Sequence, residues 1–208
     1  VGSKPYSESV IRGSTKETKY DELGTESGSF ISLGGIGYNN FRYAQAVIRK
    51  DSFLGKVITP RSGTNVATIN TGTGDNIEGS LFTTGRCFKL ESFYWACTTF
   101  KRAGNKVVGN PVNSERVPAP CVLTLTPYGA RFQEFANKTI TFAPALGARR
   151  TPMVLGKADV GPAKMIRISV AHTAGNSGLL DVFFDDVTYS QFDNSVIGLA
   201  SCPEFGDL

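Results

Sequence analysis

Histidine occurs once in the 208 residues, at His172, and that scarcity excludes more chemistry than any abundant residue suggests. A metal centre built on several imidazoles is ruled out, and a Ser-His-Asp triad would have to use that one ring. Long apolar runs are missing too. No stretch approaches the roughly 18 residues that a membrane-spanning helix needs, and no charged-then-apolar start resembles a signal peptide. The chain opens at Val1, which is compatible with prior removal of a targeting segment. An excess of one charge is also lacking: 22 Lys and Arg against 18 Asp and Glu leave +4, with no dense basic run, so there is no nucleic-acid footprint. Neither an apolar stripe at helical spacing nor a βαβ alternation is present. Gly-x-Gly occurs at 34–40 (GGIGYNN) and 71–79 (TGTGDNIEG), but without a third glycine or a following helix pattern, so both segments are expected to be turns.

What is there reads as one globular β domain. Hydrophobic residues at 40% suffice for a core, charged residues at 19% are too few for wholesale disorder, and the length fits a single sandwich. Alternation recurs in short runs: Phe88 and Leu90; Phe93, Trp95 and Cys97; Cys121, Leu123 and Leu125; Ile140 and Phe142; Ile166, Ile168 and Val170; and LLDVFFDDVTY at 179–189. Gly, Asn and Pro separate them, as at 104–111, 126–130 and 172–178. With further strands expected at 30–33, 41–48, 53–58 and 64–69, about nine segments fall at the spacing of an antiparallel β-sandwich, with a jelly roll favoured. Residues 1–18, rich in serine among charges, read as a loosely held arm, and residues 19–208 as the single domain.

Four cysteines with no C-x-x-C pair suggest disulfides before zinc, the alternative being buried free thiols. The runs holding Cys97 and Cys121 share an inward phase, so these two can face each other across neighbouring strands. Cys87 and Cys202 are then left to pair. A sequon at Asn137-Lys138-Thr139 is compatible with glycosylation. Together these features favour a secreted, extracellular protein.

The order of motifs is informative: YDEL (20–23), ISLGGIGYNNF (31–41), SGTNVATIN (62–70), FKLESFYWAC (88–97), PCVLTLTPYG (120–129) and LLDVFFDDVTY (179–189). The set resembles a broad group of secreted fungal proteins of largely unassigned chemistry, similar to carbohydrate-binding-module β-sandwiches. The early motif departs from the Phe-Asp-Asp-Leu of that group at Tyr20 and Glu22. The resemblance implies secretion, a bond between Cys97 and Cys121, and a noncatalytic disulfide-stabilised sandwich. Because many such proteins come from plant-associated fungi, it also implies a host-directed effector role.

Several residues carry candidate chemistry. On a strand, consecutive residues face opposite sides, so one of Asp185 and Asp186 is expected to point inward and to want a cation or an arginine. Carbohydrate-binding jelly rolls commonly hold a structural calcium between acidic residues near the chain ends, which here implies Asp21 or Glu22 with Asp185 or Asp186. The bland reading makes both aspartates strand-end carboxylates bonded to loop amides. Tyr38, Asn39, Asn40 and Tyr43 form the best local sugar platform, with Tyr128 a second exposed ring, because pyranose C–H faces lie on aromatic faces. Trp95 is in phase with the core. His172 reads as a semi-buried strand-end residue. Arg149, Arg150, Lys157, Lys164 and Arg167 could form a basic face, although a solvated turn is the usual reading. A noncatalytic binder of glycan or host protein is therefore expected, without nucleic acid or membrane insertion. The competing classes are a polysaccharide hydrolase or lyase using paired acids and a structural cell-wall component.

Overall fold

The structure, a computed structural model, describes residues 14–20, 28–29, 32–45, 57–63, 65–69, 77–84, 87–100, 102–103, 106–107, 116–129, 131–173 and 180–192. Its strands in chain order are β1 (Ser14–Thr18), β2 (Gly28–Ser29), β3 (Ser32–Leu33), β4 (Ile36–Asn39), β5 (Phe41–Gln45), β6 (Ile58–Thr59), β7 (Asn65–Ile69), β8 (Ile77–Phe82) and β9 (Cys87–Phe100). There follow β10 (Arg102–Ala103), β11 (Lys106–Val107), β12 (Arg116–Pro118), β13 (Cys121–Tyr128), β14 (Lys138–Phe142), β15 (Thr151–Pro152), β16 (Val154–Ala163), β17 (Met165–His172) and β18 (Leu180–Phe192).

Two sheets form an all-β, largely antiparallel sandwich. The eight-stranded sheet runs β12-β9-β18-β7-β5-β2, with β1 added to β18 and β16 to β9. The six-stranded sheet runs β14-β13-β17-β8-β4-β3, and two short pairs, β10-β11 and the parallel β15-β6, lie outside both. Between the sheets, Trp95 meets Phe142 at 5.7 Å between ring centroids, and Phe184 meets Phe93 at 5.5 Å and Phe41 at 5.8 Å. Leu123, Leu125, Ile166, Ile168 and Val170 complete the packing from the six-stranded side. Full burial of each large apolar side chain stabilises by roughly 1.5–3 kcal/mol, so this layer dominates the favourable side of folding.

The two longest strands, β9 and β18, pair along their length and each changes phase midway. On β18, Val182 and Phe184 are core residues before Asp185, and Val187 and Tyr189 after Asp186; on β9, Phe88 and Leu90 give way to Phe93 and Trp95. The register explains both. Asp185 opposes Tyr94 and Thr188 opposes Ser92, which leaves an extra residue on β18; Tyr189 then opposes Leu90, which leaves Glu91 extra on β9. Each inserted residue flips the side-chain phase, and adjacent bulges on opposite strands restore the ladder.

Four expectations change. The glycine segments expected to be turns run into strands, 34–40 into β4 at Ile36 and 71–79 into β8 at Ile77. Part of the supposed arm is structural: residues 14–18 form β1, paired with β18 from Ser14↔Gln191 to Thr18↔Val187. A polar edge strand is held by its backbone ladder and so carries little apolar signal; residues 1–13 lie outside the described set. The 126–130 segment is not a separator at its start, since β13 runs through Pro127 and Tyr128 with each paired to β17. Cys97 and Cys121 are bonded, but not across neighbouring strands. Cys97 lies on the eight-stranded sheet and Cys121 on the six-stranded one, with Cα atoms 6.3 Å apart. The chain crosses between sheets at Ala119-Pro120, with the Ala119 N–H bonded to the Cys97 carbonyl at 3.0 Å, so the disulfide closes that corner. Cys87 is also disulfide-bonded, and its expected partner Cys202 lies outside the described residues.

Candidate functional site

The residues expected to form one sugar platform separate at a single corner. Asn40, at φ 63°, carries the chain from β4 in the six-stranded sheet to β5 in the eight-stranded sheet, a conformation that Asn adopts more readily than most residues. Along β4, Ile36 and Tyr38 point into the core while Asn39 faces outward. Tyr38 is therefore not a surface ring: it is 2% exposed, packed edge-on against Phe41 at 5.3 Å and Tyr20 at 6.1 Å. Burial pushes its hydroxyl up to about 12, and hydrogen bonds with Tyr20 and Thr18 pull the other way. Tyr43 is half-buried against the core on the other sheet and is removed from the platform as well. Asn39 and Asn40 remain exposed.

These two asparagines border a groove of about 470 Å³ on the outer face of the six-stranded sheet, lined also by Glu78, Gly79, Ser80, Met165 and Arg167. Cross-strand register assembles it. Asn39 opposes Ser80, Ser80 opposes Arg167, and Arg167 opposes Thr126, giving a polar row across β4, β8, β17 and β13. Two residues along, on the same face, Gly37, Phe82, Met165 and Tyr128 form an apolar row in the same order. A Cβ at Gly37 would lie 2.4 Å from the Phe82 ring, so glycine is required for that ring to lie flat over β4. Tyr128, half-buried, closes the row and donates its hydroxyl to Glu134 Oε2 at 3.3 Å. Arg167 pairs with Glu78 at 3.3 Å, and the Asn40 side-chain amide donates to the Glu78 carbonyl at 2.5 Å.

Of the expected platform residues, Asn39 and Asn40 border the groove and Tyr128 ends the neighbouring row, while Glu78, Ser80, Phe82 and Met165 join them only through the strand register. The outward phase of Met165 and Arg167 is readable in MIRISVAH, but which strands adjoin β17 is not.

Asp185 takes the amide-bonded arrangement, within the strand rather than at its end, whereas Asp186 is bonded to a side-chain hydroxyl. Both are buried, and the bulge between them breaks the alternation that would have sent one inward and the other out. Asp185 Oδ2 accepts the N–H groups of Arg61 and Ser62 at 2.9 Å each, and its Oδ1 accepts the Asp186 N–H at 2.9 Å. Asp186, at φ 43°, accepts the Ser62 hydroxyl on Oδ1 at 2.5 Å. Above them the Arg61 guanidinium stacks on Tyr94, 5.3 Å from the ring centroid. Among the described residues no group of three or more His, Cys, Asp or Glu is placed to hold a metal. Asp21 and Glu22 lie outside the described set. Asn137 is exposed just before β14, His172 is half-buried at the end of β17, and Trp95 is fully buried.

No family model and no curated protein matches the chain. Among solved structures, the chain is similar to a DUF4465 family protein from Bacteroides caccae, with 14% identity, a TM-score of 0.53, and coverage of 85% of this chain and 98% of that one. It also matches the CBM22-1–GH10 modules of Clostridium thermocellum endo-1,4-β-D-xylanase 10B, a structure complexed with xylohexaose. There the identity is 14% and the TM-score 0.33, with coverage of 74% of this chain and 26% of that one. The first likeness establishes a shared β-sandwich fold.

Proposed function

We propose that the outer face of the six-stranded sheet binds an uncharged glycan chain and that the protein works by binding, without catalysis, outside the cell. The observation that carries this reading is the pair of neighbouring rows on that face. Phe82, Met165 and Tyr128 offer an apolar strip for sugar C–H faces, and Asn39, Ser80, Arg167 and Glu78 beside them offer donors and acceptors for hydroxyls. Among the described lining residues the charges are those of Arg167 and Glu78, which pair and balance, and this suits a neutral ligand. An open groove admits a chain rather than enclosing one monosaccharide. Glu78 in the groove is engaged with Arg167, and Glu134 at the end of the apolar row accepts the Tyr128 hydroxyl, so neither carboxylate is left in the paired, facing arrangement that the two-carboxylate route to glycoside hydrolysis needs. Disulfides at Cys97–Cys121 and at Cys87 support an oxidising compartment. With this we propose the setting that the resemblance implies, a secreted fungal protein directed at a host.

Titration calorimetry with neutral wall oligosaccharides, run beside a reducing-sugar assay on the same sample, tests it. Saturable binding without sugar release supports the reading. Release that Glu78→Gln abolishes would replace it with an enzyme.

A further inference from the structure

Away from the groove, a second cavity of about 260 Å³ lies at the seam where edge strand β16 faces β13 and β14. Its walls are Pro127, Phe135, Ala136 and Val160, and its rim carries Lys138 and Asp159. The cavity is formed by irregular backbone: the β16–β9 register slips between Lys157 and Val160 and again between Val160 and Ala163, and Asp159 sits at φ 48°. A bulge at a sheet edge re-aims side chains and opens the ladder, and here two occur within a few residues beside the cavity. Phe135 is held over it by its N–H bond to the Pro127 carbonyl at 3.0 Å.

Charge at the rim decides what fits. Asp159 is ion-paired with Lys89 at 2.5 Å, and that contact, followed by the field of Lys138, holds its carboxyl below the usual range. Two ammonium groups against one carboxylate leave the mouth with a surplus positive charge, centred on Lys138, above an apolar floor. We propose that this cavity binds a small apolar monocarboxylate, its hydrocarbon body between Phe135 and Val160 and its carboxylate on the Lys138 ammonium. A neutral ligand of the same shape would leave the surplus charge unmatched, and a cation would be repelled.

Titration calorimetry of the whole protein with 3-phenylpropionate, against 3-phenylpropionamide as the neutral isostere, tests the assignment. The carboxylate is expected to bind saturably and the amide about tenfold more weakly, since a hydrogen bond to a charged group is worth at least the ~1.4 kcal/mol that a tenfold change represents. Lys138→Gln should erase the difference between the two probes, and Ala136→Trp, on an exposed wall position, should block both. Arg149→Gln removes the same charge from an exposed turn and should change neither. Equal binding of acid and amide to the parent protein, no saturable binding of either, or undiminished preference for the acid in Lys138→Gln would each overturn the proposal.

Discussion

Asp185 accepts the backbone N–H of Ser62 at 2.9 Å across 123 residues of chain, and the neighbouring Arg61 N–H shares the same carboxylate oxygen. A bulged strand thereby holds the 61–63 turn against the outer face of the eight-stranded sheet. Burial raises the Asp185 carboxyl from 3.8 to about 6, the Ser62 N–H lowers it, and the like charge of Asp186 raises it again. The folded value lies above the unfolded one, so the stabilising contribution is complete below 3.8 and is lost as the pH climbs through about 6. The melting-temperature advantage of the parent protein over Asp185→Asn should therefore be largest near pH 4 and shrink toward pH 7. An advantage that grows with pH would mean that the amide donors outweigh burial.

The bond between Cys97 and Cys121 ties the two sheets together at one corner. Closing a loop of 24 residues removes unfolded-state entropy equivalent to roughly 3–4 kcal/mol. Denaturant unfolding with and without reductant should show a loss of that order. Nonreducing peptide mapping should recover the Cys97–Cys121 peptide, and free thiols at both positions would contradict the structure.

Much of the core was legible because inward phase survives in the sequence. Trp95, Cys97, Cys121, Leu123 and Leu125 all alternate as sandwich residues should, and each is buried. Even the bulges leave a trace, since Phe88 and Leu90 are out of step with Phe93 and Trp95. What alternation cannot carry is which strands adjoin. Alternation therefore predicts the disulfide within a sheet rather than between sheets, and it does not bring the groove residues of β8 together with Asn39. A turn residue in the left-handed region, Asn40, sends the strands of Tyr38 and Tyr43 to different sheets, which puts Tyr38 in the core and leaves Tyr43 half-buried against it.

The calcium expectation now rests on Asp186 and the early acidic motif, because Asp185 already has N–H donors on both carboxylate oxygens. A carboxylate so occupied needs no cation to satisfy it. If Asp186 and Asp21 share a calcium, chelator should lower the melting temperature, and no shift would sink the site. A fall that calcium restores, and that Asp186→Ala removes, would place an ion between Asp186 and Asp21.

Tyr38 and Tyr128 separate packing from recognition. Tyr38→Ala removes a core ring in edge contact with Tyr20 and Phe41, and the expected loss is on the order of 3–5 kcal/mol, seen as a melting temperature lower by about 2–4 °C per kcal/mol. Tyr38→Phe keeps the ring and should leave glycan affinity intact. Tyr128→Ala, at the half-buried end of the apolar row, should cost little stability but weaken glycan binding by about tenfold, near the upper range for one aromatic contact. Arg167→Ala should weaken it too, since the lost guanidinium also frees Glu78 from its partner. The His172→Ala variant, altered at the far end of β17, should bind as the parent does. If affinity instead fell in Tyr38→Phe at unchanged melting temperature while Tyr128→Ala bound normally, the ligand would lie elsewhere than on the six-stranded face.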